Sequence, residues 1–405
     1  MDSTVKKVQE AAKIIRDTVI RTPLVHSPTF SRIFGADIRL KLENLQRTGS
    51  FKIRGAVHKI FRQRQNIGPE GVVAASAGNH AQGVALAARN AGIPATIIMP
   101  EWASISKQEA TGGYGGKVIL HGGSVGESLE KAREMAETGK MFIHPFDDSD
   151  IITGQGTIGL EIMEELIDTE MILVPVGGGG LISGVAMTVK ALRPDVRIIG
   201  VQAAACPSAY ESLREEKRIV CDSRTSIADG ISVKQPGEQN FELIRKYADD
   251  IVLVDEEHIA AAVLMLLERK KTLAEGAGAV PLAALLNGAV KVPADSKVVL
   301  LISGGNVDSP LLGRIIRKGL LKNSRIMRIK VYLEDIPGSL STLLARVARL
   351  RANVLHIFHD RNIKDMPMHI TYVELEVETR GAEHIREIRT ELQNAGYHLG
   401  EDSFP

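Results

Sequence analysis

Residues 171–189 carry no charge and are long enough to cross a bilayer. Pro175 and five glycines in the same stretch would make a poor transmembrane helix. The stretch reads instead as a buried strand over residues 171–176, a turn of four glycines, Gly177-Gly178-Gly179-Gly180, and a helix over 181–192. A strand that feeds a glycine turn and then a helix is the unit of a parallel α/β sheet. Successive glycines let backbone N–H groups converge on an anion with no β-carbon in the way. The helix that follows aims its positive end at the same point. One glycine would serve a tight turn, whereas four in a row favour a phosphate-sized guest.

The alternation continues along the chain. Strands are predicted over residues 72–75, 95–99, 117–121, 197–202 and 297–302, with helices over 80–91 and 126–138. Such a sheet, wound with right-handed crossovers, gathers its ligands at the C-terminal ends of its strands. Two more segments fall there: Ser76-Ala77-Gly78-Asn79-His80 and Ser303-Gly304-Gly305-Asn306. A fourth segment, Ser50-Phe51-Lys52-Ile53-Arg54-Gly55-Ala56, sets a lysine between a phenylalanine and a small-residue stretch. A free lysine, with a pKa of about 10.4, is a poor nucleophile at neutral pH. In an apolar pocket it loses its proton and condenses with an aldehyde as a Schiff base.

Together these segments resemble the fold-type II pyridoxal-phosphate enzymes (the tryptophan synthase β-like fold), and within them the threonine dehydratase family. The resemblance runs from Arg21-Thr22-Pro23-Leu24 to the Ser303 loop. It includes Glu43-Asn44-Leu45-Gln46, Ile227-Ala228-Asp229-Gly230-Ile231 and Ala274-Glu275-Gly276-Ala277-Gly278-Ala279. It implies a two-lobed catalytic domain over residues 1–321, with a smaller lobe over about 44–145 and pyridoxal 5'-phosphate between the lobes. Lys52 would hold the cofactor and then remove the substrate α-proton. Phe51 would pack on the pyridine ring, and Asn79 would bond the ring hydroxyl. The backbone of Ser76, Ala77, Gly78, Asn79 and His80 would hold the substrate carboxylate. Gly177, Gly178, Gly179, Gly180 and Leu181 would hold the phosphate. Ser303 would face the pyridine nitrogen, and Glu275 would lie near the cofactor.

A serine at the pyridine nitrogen does not force protonation as a carboxylate would, so the ring is a weaker electron sink. That suits loss of a β-hydroxyl. The implied reaction is elimination from L-threonine, or L-serine, giving 2-oxobutanoate, or pyruvate, and ammonia. Serine and hydroxyaspartate dehydratases and serine racemases are the neighbouring activities, and a non-catalytic amino-acid sensor is the alternative of another class. Serine racemases usually carry a serine where this chain has Ala77, and alanine moves no proton. Threonine and serine differ by one methyl, worth about 1–3 kcal/mol in a pocket. The sequence leaves that preference open.

After Leu321 the pattern changes. Strands are expected over residues 328–333, 353–359 and 369–377, and helices over 340–350 and 382–395, with a last strand near Tyr397. This is the split βαβ order. Residues 326–405 resemble an ACT domain, a ferredoxin-like amino-acid-sensing module, with Asp335-Ile336-Pro337-Gly338-Ser339 as its ligand-binding turn. The resemblance implies isoleucine as effector, valine as antagonist, and a homodimer or homotetramer.

Other motifs have plainer readings. Gly154-Gln155-Gly156-Thr157-Ile158-Gly159 fits a dinucleotide fingerprint, but no strand precedes it. Gly122-Gly123-Ser124-Val125-Gly126 fits a nucleophile elbow, and reads better as a turn with a capping serine. His356 and His359 share a strand but fall on opposite faces, which argues against a metal pair. Some relatives bind a cation near Ala228-Asp229-Gly230, yet Gln202 stands where some use an acid, so no metal is assigned. Fifty basic and forty-nine acidic residues give a net charge of +1, which steers the chain toward neither nucleic acid nor membrane. Cys206 and Cys221 form no CxxC pair, and the amphipathic N-terminus is no signal peptide, so a reducing cytoplasm is expected.

Overall fold

The computed structural model describes residues 3–361 and 367–400. The chain divides into two compact units, Met1–Leu311 and Leu312–Pro405. The helix Ser309–Lys322 straddles that division, so most of it counts with the second unit.

The first unit is built on two sheets. The larger runs, edge to edge, Leu24–His26, Asp37–Leu42, Lys297–Ile302, Met171–Pro175, Arg197–Ala203 and Asp250–Val254. Only its first pair is antiparallel. The smaller, wholly parallel sheet runs Gly116–Leu120, Ala95–Met99, Val72–Ala75 and Met141–Phe142. Buried branched residues explain the central strands: every residue of Met171–Pro175, Val72–Ala75 and Ala95–Met99 is buried. The charge-free stretch resolves into the strand Met171–Pro175 and the helix Gly180–Leu192. Among the described residues no helix is long and apolar enough to cross a membrane.

Strand Asp37–Leu42 escaped the sequence reading because Arg39 and Lys41 interrupt it. Lys41 is nonetheless fully buried, with its ammonium 2.7 Å from Glu161. The same carboxylate pairs with the buried Arg54, which also reaches the buried Glu43 at 2.7 Å. Arg54 belongs to the helix Lys52–Arg62, which carries the singled-out lysine at its first position, so these pairs anchor that helix to Asp37–Leu42 and Ser149–Glu165.

The dinucleotide-like glycines prove to be packing residues. They lie inside the buried helix Ser149–Glu165. A β-carbon on Gly154 would sit 2.7 Å from the Gly55 Cα, and one on Gly156 3.1 Å from the Gly184 carbonyl. Helices thus cross at backbone contact. Ser124 caps the helix Val125–Glu137, accepting from the Glu127 N–H and donating to the Glu127 carboxylate.

The second unit follows the split βαβ order: Ile326–Glu334, Ser339–Arg349, Asn353–Asp360, Ile370–Glu378, Ala382–Asn394 and His398–Leu399. Its four strands form one antiparallel sheet, with Ile370–Glu378 and Ile326–Glu334 at the centre. His356 and His359 lie on the exposed edge strand Asn353–Asp360.

Candidate active site

Lys52 is placed by two pairings with the end of strand Lys297–Ile302. Ser50 forms an antiparallel bridge with Gly304, and the Phe51 N–H donates to the Ser303 carbonyl at 3.0 Å. The chain then turns into its helix, and the lysine at the first position is left half-buried. Burial pushes the Lys52 ammonium below the ordinary lysine value, against the pull of Glu275 and Asp229. Its nitrogen lies 6.0 Å from the Phe51 ring centroid.

Two adjoining cavities open from Lys52. The first is lined by Phe51, Asn79, Phe146, the glycines 177–180 with Leu181, Glu275 and Ser303. The second is lined by Ser76, Ala77, Gly78, Asn79, Trp102, Lys107, Asp229 and Asn306. Lys52, Asn79, Phe146 and Glu275 are common to both.

The glycine turn is tighter than the sequence suggests. A β-carbon on Gly178 would meet the Phe146 ring at 2.5 Å, and one on Gly180 the Phe146 carbonyl at 2.9 Å. Gly179 has φ +100°, with Asn240 Cβ 2.7 Å from where its own would stand. Packing therefore demands glycine here, whether or not a guest is bound. Gly237 N–H donates to the Gly178 carbonyl and Ser183 N–H to that of Gly179. The N–H groups of residues 177–181 make no hydrogen bond to another element among the described residues. Those donors, at the start of a thirteen-residue helix, suit a phosphate.

Asn79 begins the helix Asn79–Ala91 at the end of strand Val72–Ala75. Its amide donates to Glu275 Oε1 at 2.7 Å, and its carbonyl oxygen accepts from the Asn306 amide at 2.8 Å. Glu275 is buried at the start of helix Gly276–Leu286. Burial, and then Asp229, push its carboxyl up to about 7, against the Asn79 hydrogen bond and Lys52.

Four of the five residues in the Ser76 segment line the second cavity, with the Ser76 hydroxyl accepting from the Gly78 N–H at 3.1 Å. The His80 side chain does not join them. It is buried and donates from Nε2 to the Ile143 carbonyl at 3.0 Å. Burial, with nearby Lys52, lowers its pKa to about 3, so the ring is neutral and helps fix the helix start.

Sequence reasoning did not single out Phe146, Gln155 or Lys107. Phe146 follows the edge strand Met141–Phe142, too short to read as one, and seals the glycine turn. Gln155 hides within the false fingerprint, yet it lines the first cavity, and its buried Oε1 lacks a partner among the described residues. Gln202 is fully engaged in structure, accepting from the N–H groups of Ala209 and Tyr210. Among the described residues no group of three or more His, Cys, Asp or Glu could hold a metal ion.

A half-buried lysine of lowered pKa, a glycine turn with unengaged N–H groups and unpartnered polar atoms fit an aldehyde-bearing phosphate ester. Residues 15–304 match the family model described as pyridoxal-phosphate dependent enzyme, and the chain belongs to that family. It is a fold-type II member that uses pyridoxal phosphate, with an amino acid as the substrate class. The L-threonine ammonia-lyase of Thermotoga maritima is 50% identical over 398 residues, 98% of each chain. Among solved structures, threonine deaminase isoform 2 from Solanum lycopersicum is similar with TM-score 0.74 and 35% identity, over 79% of this chain and 90% of that one. Maize serine racemase is similar with TM-score 0.73 and 36% identity, over 79% of this chain and 98% of that one.

Proposed function

We propose that this chain eliminates water from L-threonine, releasing 2-oxobutanoate and ammonia, and acts in the same way on L-serine. The observation that carries the reading is the placement of half-buried Lys52 between the glycine turn and the loop that bears Ala77. The 50% identity to an L-threonine ammonia-lyase across both units supports it.

When bound, pyridoxal phosphate supplies an electron sink that acidifies the substrate Cα–H. The N–H groups of residues 177–181 would hold its phosphate, Asn79 its ring hydroxyl, and Ser303 its pyridine nitrogen. Phe51, which lines the same cavity, would pack beside the ring. N–H groups of the segment from Ser76 to Asn79 hold the substrate carboxylate. Lys52 Nζ would take the α-proton, its pKa lowered by burial. Glu275 keeps the Asn79 amide oriented.

We assign catalysis to residues 1–321 and regulation to the ACT-like residues 326–405. An open cavity supports the second assignment. It is lined by Ile336, Pro337, Gly338, Ser339 and Thr342, at the start of the helix Ser339–Arg349. Its effector is an amino acid, with isoleucine first and valine as antagonist. Two free cysteines accord with work in the cytoplasm.

The decisive assay is release of 2-oxobutanoate and ammonia from L-threonine by purified protein with added pyridoxal phosphate, with and without isoleucine. Release that isoleucine suppresses supports both assignments. Release indifferent to isoleucine keeps the enzyme and removes the effector. No release from threonine, serine or hydroxyaspartate overturns the elimination reading.

A further inference from the structure

Lys107, on the helix Ile105–Gly113, and Asp229, at the 3-10 turn Asp229–Ile231, both line the cavity that holds Ala77 and Lys52. The Lys107 ammonium is 3.1 Å from one Asp229 oxygen and 3.6 Å from one of Asp308. Asp308 is itself fixed by the hydroxyls of Ser104 and Ser106, each 3.2 Å from its Oδ1. The lysine side chain is only 15% exposed, whereas Asp229 is 61% exposed. Asp308 stands behind Lys107 and does not itself line the cavity; among the described residues the other charged side chains that do are Lys52 and Glu275, which the cofactor reading already uses.

We propose that Lys107, Asp229 and Asp308 form a charge filter that rejects amino acids whose side chain bears a carboxylate. One ammonium shared by two carboxylates leaves this rim net negative. An incoming β-carboxylate meets the exposed Asp229 and finds the nearest cation already engaged twice. Like charges brought together at a partly desolvated rim repel, while a neutral β-hydroxyl is indifferent. Burial alone would lower the Lys107 pKa, but Asp229 and Asp308 outweigh it and hold it above the ordinary value. The cation therefore stays charged and committed at neutral pH. The inference rests on the reading of this cavity as an amino-acid site, and it separates threonine and serine from hydroxyaspartate as substrates.

The test titrates the visible absorbance of the cofactor-loaded enzyme with L-asparagine and with L-aspartate. The two are nearly the same shape, differ in charge, and lack a β-hydroxyl to lose. L-Aspartate is expected to bind at least about 30-fold more weakly. Asp308→Asn frees Lys107 and narrows that gap about tenfold, while Lys107→Gln widens it about tenfold. A merely structural ion pair would shift both ligands alike and leave their ratio unchanged. Equal affinities in the unaltered enzyme, or a ratio unmoved by both variants, would overturn the filter. A spectrum that neither amino acid perturbs would overturn the filter together with the amino-acid site. Threonine turnover on the same preparations reports separately: its absence beside an intact ratio sinks the elimination reading and leaves the filter standing.

Discussion

The Asn79 amide donates to Glu275 Oε1 at 2.7 Å, joining side chains 196 positions apart in the chain. Asn79 starts a helix that follows the smaller sheet, and Glu275 precedes one packed against the larger. Their contact joins elements of the two sheets beside Lys52. It also gives the buried carboxyl its one strong hydrogen-bond donor, without which burial and Asp229 would push its pKa still higher than about 7.

That carboxyl makes stability depend on pH in the cofactor-free protein. The folded value of about 7 exceeds the ordinary 4.5, so the folded chain holds this proton more tightly than the unfolded chain does. Its contribution is fully present below pH 4.5 and is lost as pH rises through about 7. The loss amounts to roughly 3 kcal/mol. Glu275→Gln should flatten the fall in stability between pH 5 and pH 8, as read by urea unfolding. An unchanged slope would place the proton elsewhere.

Lys52→Ala should lose the absorbance of covalently held cofactor. Elimination from L-threonine should drop by more than about 10³-fold, combining loss of the attachment point with loss of the base. A variant that keeps its turnover would remove Lys52 from the mechanism.

Arg54→Met should destabilise the first unit by about 3–5 kcal/mol, because it leaves the fully buried Glu43 without its cation, while Glu161 keeps Lys41. Thermal unfolding of the cofactor-free protein measures this. A shift no larger than that of a surface substitution would mean that water relieves the carboxylates.

With Ala77 lining the proposed substrate cavity, L-serine should yield pyruvate and only a trace of D-serine. Ala77→Ser adds a proton-carrying hydroxyl there and should raise the D-serine share, as resolved by chiral chromatography. Fast, clean racemisation by the unaltered protein would contradict the elimination reading.

Ending the chain after Leu321 should leave threonine turnover in place and abolish any response to isoleucine. Inhibition that survives the truncation would locate the effector in the catalytic residues.

The fold was legible where buried branched runs met glycine, as at Met171–Pro175, and where periodicity changed after Leu321. It was illegible where a charge sits in a strand, because Lys41 becomes a core residue only through Glu161, 120 positions away. The segments carrying Lys52, Asn79, Glu275 and Ser303 stood out because each ends a strand or opens a helix with unusual small residues. His80 looked equivalent to its neighbours, yet its position on the first helical turn directs the ring to Ile143 instead. Phe146 and Lys107 had no local signature. Their importance comes from what the tertiary fold sets against them.

The glycine turn carries a consequence for anyone altering this chain. Phe146, Ile231 and Asn240 clamp its backbone. Its shape is therefore settled at folding, and a phosphate held as proposed would find the donors already aligned. The same clamp couples two failures. A methyl added to Gly178 or Gly180 strikes Phe146 before it reaches any guest, so lost affinity and a loosened core would appear together. The turn is a keyhole cut from the wall itself, and it cannot be reshaped without moving the wall.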